Sequence, residues 1–205
     1  MQNFFISDPH FGHSLVSELR GFASPHLHDE QLITAWITAL PANREINMWI
    51  LGDHSCGPMS AEDRALETLA HFRNTMLHKK QTLVHLHGVL GNHDSAHPMR
   101  PHSIREQRRF TNVYDSIHTS NLVSIAKQPV LLSHFPYDAD SRESDRLNQW
   151  RLKDLGTPLI HGHTHATEPL SYSAQGTLQI CVCVEACPDF APISQTDIAR
   201  IIRPS

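Results

Sequence analysis

The chain has 205 residues, 40% hydrophobic and 19% charged, enough apolar material to fold round a core and a length that suits one domain over 1–205. Lys plus Arg number 17 against 21 Asp plus Glu, for a net charge of -4, so the overall basic field of a non-specific nucleic-acid binder is missing. The apolar runs are short and broken by His, Gly or Pro, which excludes a membrane-spanning helix, and Met1 to Asp8 lacks the basic start and long apolar stretch of a secretory signal, which points to the cytoplasm.

In chain order, Asn3 to Ser7 reads as a short buried strand. Asp29 to Leu40 predicts a helix, with Leu32, Ile33, Trp36, Ile37 and Leu40 on one face and Pro41 as the stop. Ile46 to Leu51 is the next strand. Ser60 is a candidate cap for a second helix, with Asp63 favouring its N-terminal dipole and Leu66, Leu69, Ala70, Arg73 and Leu77 on its inner face. Leu83 to Leu90, Leu122 to Ala126, Val130 to Ser133, Leu159 to Ile160, Leu178 to Val184 and Ile198 to Ile202 are strand-type runs. Strands separated by helices, followed by strands in quick succession, predict an α/β sandwich with an antiparallel portion. Gly12 to His28, Ser95 to Arg109 and Asp138 to Asp154 read as loops, the last two long and rich in Arg.

Histidine is unusually abundant, at 17 residues. Imidazole is both a common metal ligand and the side chain that titrates near neutral pH. Apolar runs lead into Asp8-Pro9-His10, Gly52-Asp53-His54, Gly91-Asn92-His93-Asp94, His134 and His161-Gly162-His163-Thr164-His165. Ligands of open α/β folds gather outside the carboxyl ends of strands, so carboxylate, amide and imidazole delivered to one rim make a metal site. Mixed oxygen and nitrogen donors suit Mn2+, Fe or Zn2+. Cys181 and Cys183, alternating along a strand, read as small buried hydrophobes, because no C-x-x-C pair completes a zinc site.

The ordered set D-x-H, G-D, G-N-H-D, H and G-H-x-H, running from Asp8 to His165, resembles the calcineurin-like metallophosphoesterases, and the tail Gln179 to Val184 followed by Pro192-Ile193-Ser194 resembles the closing strands of their small bacterial and phage members. The resemblance implies a four-layer α/β/β/α sandwich of two mixed β-sheets flanked by helices. It implies that Asp8, His10 and His165 hold one metal, that Asp53 bridges, and that Asn92, His134 and His163 hold the second. The cofactor would be two divalent ions, Mn2+ first, with Fe, Zn2+ or Ni2+ as substitutes. His93, oriented by Asp94, would protonate the leaving group or stabilise its charge. The implied reaction is hydrolysis of a phosphate mono- or diester by in-line attack of a hydroxide held between the ions.

Four residues outside that pattern are candidates for touching the substrate: His13, His54, Arg142 and Arg146. His161 reads as strand packing, and His26, His28, His71, His78, His97, His102 and His118 as surface residues. Arg100, Arg105, Arg108, Arg109 and Arg151 share the two long loops with acids that include Glu106 and Asp140. That mixture weighs against a long nucleic-acid track and toward a compact anionic substrate, a small phosphoester or nucleotide. The alternatives are a catalytically silent scaffold and a nuclease acting on nucleic-acid ends.

Overall fold

Two apolar patterns with different periods build the molecule. The computed structural model describes residues 1–57, 59–140 and 147–203. Strands β1 (Gln2–Ile6), β2 (Glu45–Ile50), β3 (Leu83–Val89) and β4 (Ser116–His118) lie parallel. The late strand β10 (Ile193–Ser194) adds antiparallel to β1, giving the sheet order β10-β1-β2-β3-β4. The second sheet runs β5-β6-β7-β9-β8, from β5 (Ser120–Ile125), β6 (Gln128–Ser133), β7 (Leu159–His161), β8 (Leu170–Tyr172) and β9 (Leu178–Cys181). Its centre, β6-β7-β9, is parallel, and both edge pairs are antiparallel. The result is an α/β sandwich of two mixed sheets with flanking helices.

Helices cover the apolar faces. In α2 (Pro25–Ala39) Leu32 and Trp36 are buried; α3 (Met59–Lys80) buries Leu69, Phe72 and Met76. These meet Phe5, Ile6, Met48, Ile50, Val84 and Leu86 of the first sheet in one continuous core. Burying such side chains contributes roughly 1.5–3 kcal/mol each. A parallel bridge between Ser7 and Cys183, with Ser7 N donating to Val182 O (2.7 Å), stitches the carboxyl ends of β1 and β9 together.

Several expectations need correction. Helix α2 starts earlier than Asp29, because Ser24 accepts from Leu27 N and Pro25 occupies the first turn. Ser60 lies inside α3 rather than capping it, and the buried face follows Leu69, Phe72 and Met76 while Leu77 is 45% exposed. The run Ile198 to Ile202 is part of helix α5 (Gln195–Ile202), capped by Ser194, whose hydroxyl accepts from Asp197 N. Ile198, Ile201 and Ile202 fit a helical face as readily as a short strand. The first loop contains α1 (Ser14–Leu19), and the second contains α4 (Ser103–Phe110). His28 and His97 are buried rather than at the surface, whereas His161 packs inside β7 as read. The cysteines are free, and Cys181, Cys183 and Cys187 are buried.

Candidate metal centre

The strand register explains why distant residues meet. Ile6 pairs with Ile50, and Ile50 with Gly88, so β1, β2 and β3 end at one level and deliver Asp8, Asp53 and Asn92. In the second sheet Leu132 pairs with Ile160, and β6 and β7 deliver His134 and His163 to the same rim. The chain turns sharply there. Asp8, His10, Asp53, His163 and His165 all have positive φ, between 48° and 69°. Left-handed backbone at a non-glycine residue is uncommon and costly, and persists where the surroundings over-determine it. Two glycines give the ligands room: a Cβ on Gly91 would overlap the Asp53 carboxylate, and one on Gly162 would overlap Ser7 Oγ and Asp8 Oδ2.

The donors form two groups. Asp8, His10 and His165 offer ligand atoms within 4.8 Å of one another, and so do Asp53, His134 and His163. Asp53 Oδ2 stands between the groups, 3.5 Å from His134 Nε2 and 3.9 Å from His10 Nε2. Asp8 Oδ1 lies 3.8 Å from His10 Nε2 and 3.7 Å from His165 Nε2. These gaps are longer than ordinary hydrogen bonds and fit donors arranged round an ion. Asn92 Oδ1 joins the second group, 3.2 Å from His134 Nε2. All seven residues expected as ligands therefore meet at one rim.

The far sides of several of these donors are tied down. His10 Nδ1 faces Ser55 O (3.2 Å), His134 Nδ1 faces Leu51 O (2.7 Å), and His165 Nδ1 faces Glu185 Oε1 (2.8 Å). An acceptor at Nδ1 fixes the tautomer that turns a bare Nε2 into the centre. Asp8 Oδ2 receives His163 N (2.9 Å) and the Cys183 thiol (3.3 Å), and the Ser7 hydroxyl lies 2.6 Å away. Among the described residues Asp8 Oδ1 and His10 Nε2 are buried without a hydrogen-bond partner. Buried polar atoms without partners are costly, and these point at the space a cation would fill.

Electrostatics agree. Burial opposes charge on Asp8 and Asp53, yet the imidazoles round them, His134 foremost, hold both carboxyls below the usual range. Burial likewise opposes charge on His134, but Asp53 and Asp8 outweigh it and push its pKa up to about 10. Burial also opposes charge on His165, which Glu185 and Asp8 bring up to about 8. Burial and the neighbouring His134 depress His163. An excess of buried negative charge that draws protons onto imidazoles is what a divalent cation would neutralise.

His93 stands at the lip, with its side chain 41% exposed and Nε2 4.0 Å from Asp53 Oδ2. Its backbone N donates to Asp53 Oδ1 (2.8 Å). The expected orienting contact from Asp94 is not there. Asp94 accepts from Asp53 N, His54 N and Gly91 N, and its Oδ1 lies 2.8 Å from His54 Nδ1. Asp94 thus holds the loops in place, which is a positioning role. His54 is correspondingly wholly buried, between Phe110 and Tyr114, and cannot touch a substrate. Burial opposes charge on His54 as well, but Asp94 raises its pKa. His13 caps α1, its Nδ1 accepting from Val16 N (3.4 Å), and its ring lies 5.5 Å from that of His10. Arg142 and Arg146 lie outside the described residues.

Some contributors were missed. Glu185 follows the apolar run that ends at Val184, so the rule that found the other strand ends applies to it too. Arg20 carries no sequence signal. Its guanidinium donates to Glu185 Oε1 (2.9 Å), Asp8 O (2.8 Å) and Pro9 O (3.1 Å), and it lies 2.9 Å from His28 Nε2. Asp140, read as a solvated loop charge, has a buried side chain, with Oδ2 3.3 Å from both His163 Nε2 and Arg151 Nη2.

No family model matches the sequence. The chain is 36% identical over 196 residues to the Gene 66 protein of Mycobacterium phage D29, covering 93% of this chain and 92% of that protein. A protein of unknown function from Aquifex aeolicus superposes with a TM-score of 0.66 at 20% identity, covering 98% of each chain, and so shares the fold. A looser likeness, TM-score 0.41 at 15% identity over 88% of this chain and 82% of the other, is to a novel archaeal phosphodiesterase.

Proposed function

The chain belongs to the family of the mycobacteriophage Gene 66 proteins, and we propose that it is a two-metal phosphoesterase acting on a phosphate mono- or diester. The observation that carries this reading is the pair of donor groups at one rim with the Asp53 carboxylate between them and His93 at the lip. Asp8, His10 and His165 would hold one ion, and Asn92, His134 and His163 the other. Asp53 would serve both, since a carboxylate is an acceptor with two oxygens and an imidazole is not. Mixed oxygen and nitrogen donors fit Mn2+ first, with Fe, Zn2+ or Ni2+ as substitutes. When bound, two such ions would supply charge stabilisation at the phosphoryl oxygens and lower the pKa of water.

The chain's own residues would do the rest. The tethered Nδ1 atoms keep three imidazoles aimed inward. His93, not oriented by Asp94 and 41% exposed, would hold a proton at Nε2 and pass it to the leaving oxygen. The free, mostly buried thiols support residence in a reducing compartment, the cytoplasm. The resemblance to calcineurin-like metallophosphoesterases supports the same reading, and intact ligand positions weigh against a silent scaffold.

The test is a panel of chromogenic mono- and diesters, nucleotides and oligonucleotides with Mn2+, Zn2+, Ni2+ and Mg2+. Hydrolysis abolished by a chelator and restored by Mn2+ is expected. Protein that binds two ions yet hydrolyses no ester with any of them would be a scaffold.

A further inference from the structure

Beside His93, away from the donor groups, a cavity of about 390 Å³ opens between the loop after β2 and helix α4. Its walls include Cys56, Gly57, His93, Arg100, His102 and Arg105. Volumes of that order are typical of sites for small ligands. Gly57 sits close against the ring: a Cβ there would stand 3.7 Å from His93 Nδ1. One imidazole therefore borders both spaces, with its Nε2 4.0 Å from Asp53 Oδ2 in the centre.

The cavity wall is cationic and held in place. Arg100 donates through Nη2 to the carbonyl of Asn92, next to His93 in the chain, and has no carboxylate partner among the described residues. A neutral carbonyl positions the guanidinium without cancelling its charge. Arg105 lies along the Glu106 carboxylate (Nε 2.8 Å, Nη2 2.7 Å from Oε1) with its side chain 69% exposed. Glu106 is the acid of this wall, and its other oxygen is taken by Arg109 Nη1 (2.8 Å). Arg109 also binds Glu62 and Asp63 of α3, which anchors α4. Two guanidiniums thus face the cavity against one carboxylate that is shared with a third.

We propose that this cavity is a phosphate subsite: it receives a second anionic phosphoryl group of the substrate, while the scissile phosphate lies at the donor groups and His93 stands between them. The substrate class is then a compact bisphosphorylated molecule, such as a nucleotide with two separated phosphates. A guanidinium presents a planar fork of donors that matches phosphate oxygens, which an isolated ammonium would not. The proposal rests on the phosphoesterase reading for the position of the scissile group and adds the second anchor.

Alkane bisphosphonates of two to six carbons, compared with the matching alkyl monophosphonates, test it. Their carbon–phosphorus bonds resist hydrolysis, so calorimetric titration of the Mn2+-loaded protein reads binding alone. Charge-assisted hydrogen bonds of this kind predict that at one chain length the bisphosphonate binds about tenfold tighter or more. Arg105→Glu, at an exposed position away from the ligand loops, and Arg100→Ala should each cut that advantage to less than about threefold. Equal affinities at every length overturn the proposal, as does an advantage that survives both substitutions, since the second phosphonate would then be binding metal. If Mn2+ binds and neither series does, the phosphoesterase reading fails and the subsite with it. Binding of monophosphonates with no bisphosphonate advantage leaves that reading standing and removes the subsite alone.

Discussion

The two donor groups face one rim but are supported differently. Behind Asp8, His10 and His165 stands a charged side-chain chain: Glu185 holds His165, and Arg20 grips Glu185 and the carbonyls of Asp8 and Pro9. Behind Asp53 and His134 the support is largely main chain. Leu51 O holds His134, His93 N holds Asp53, and Asp94 pins Asp53 N and Gly91 N. The first group leans on an ion pair between side chains, while Asp53 and His134 of the second lean mainly on peptide groups, with Asp140 beside His163 as the charged neighbour there. The two should therefore fail separately, except where Asp53 joins them.

The largest effect is expected at that joint. Asp53→Asn removes a charge that both groups share, so both ions should be lost together and hydrolysis should fall to background, checked by metal analysis after gel filtration. Loss of a single ion would place Asp53 in one group only. The next largest effect belongs to the His93 side chain, which is a member of neither donor group; the backbone N that holds Asp53 is kept in the substitution. His93→Ala should keep both ions while turnover of an ester with a poor leaving group drops about 10²–10⁴-fold, and turnover of a nitrophenyl ester drops less. Lost metal in this variant would make His93 a ligand.

Glu185→Gln addresses the asymmetry itself. It should weaken ion binding at the first group by about 10–100-fold, as loss of a supporting carboxylate does elsewhere, and leave the second within a few-fold. Two-site calorimetry with Mn2+ reads this, and equal weakening at both sites would erase the distinction between them.

The smallest effect concerns the packing under the second group, where the His97 ring meets Phe135 and Trp150. Burial depresses the His97 pKa to about 4, so it stays neutral in the native state. The unfolded chain takes up a proton below about 6.5, so stability is full above that pH and declines as pH falls toward 4. The slope from this one residue is at most about 1.4 kcal/mol per pH unit. Urea midpoints at pH 7.5 and pH 5 should differ less in His97→Asn than in the parent protein, and an unchanged difference would remove His97 from the account.

The same contrast explains what could be read from the sequence. Candidate donors at strand ends are local features: an apolar run followed by Asp, Asn or His announces itself, but it marks His54, His93, Asp94 and His161 too, and the resemblance to metallophosphoesterases is what singled out Asp8, His10, Asp53, Asn92, His134, His163 and His165 among them. The support behind the first group was only partly legible: Glu185 follows an apolar run, but Arg20 carries no such mark and reaches Glu185 across 165 positions, where the seam between Ser7 and Cys183 joins the two sheets. Asp94 was misassigned for a related reason. Its neighbour in sequence is His93, but the turn sends its carboxylate back to His54, 40 residues earlier. Among the elements, buried strands were legible, even β7 with its 3 residues, whereas β4, β8 and β10, with 2 or 3 residues and none of them buried, lack the apolar run that marks a strand.

The central claim is that Asp53 joins two ions in one centre. Titration of the metal-free protein with Mn2+, followed by electron paramagnetic resonance, tests it most directly. The account predicts two ions per chain and a spin-coupled spectrum, since a shared carboxylate holds the ions close enough to interact. Binding of one ion, or of two with independent spectra, would contradict it.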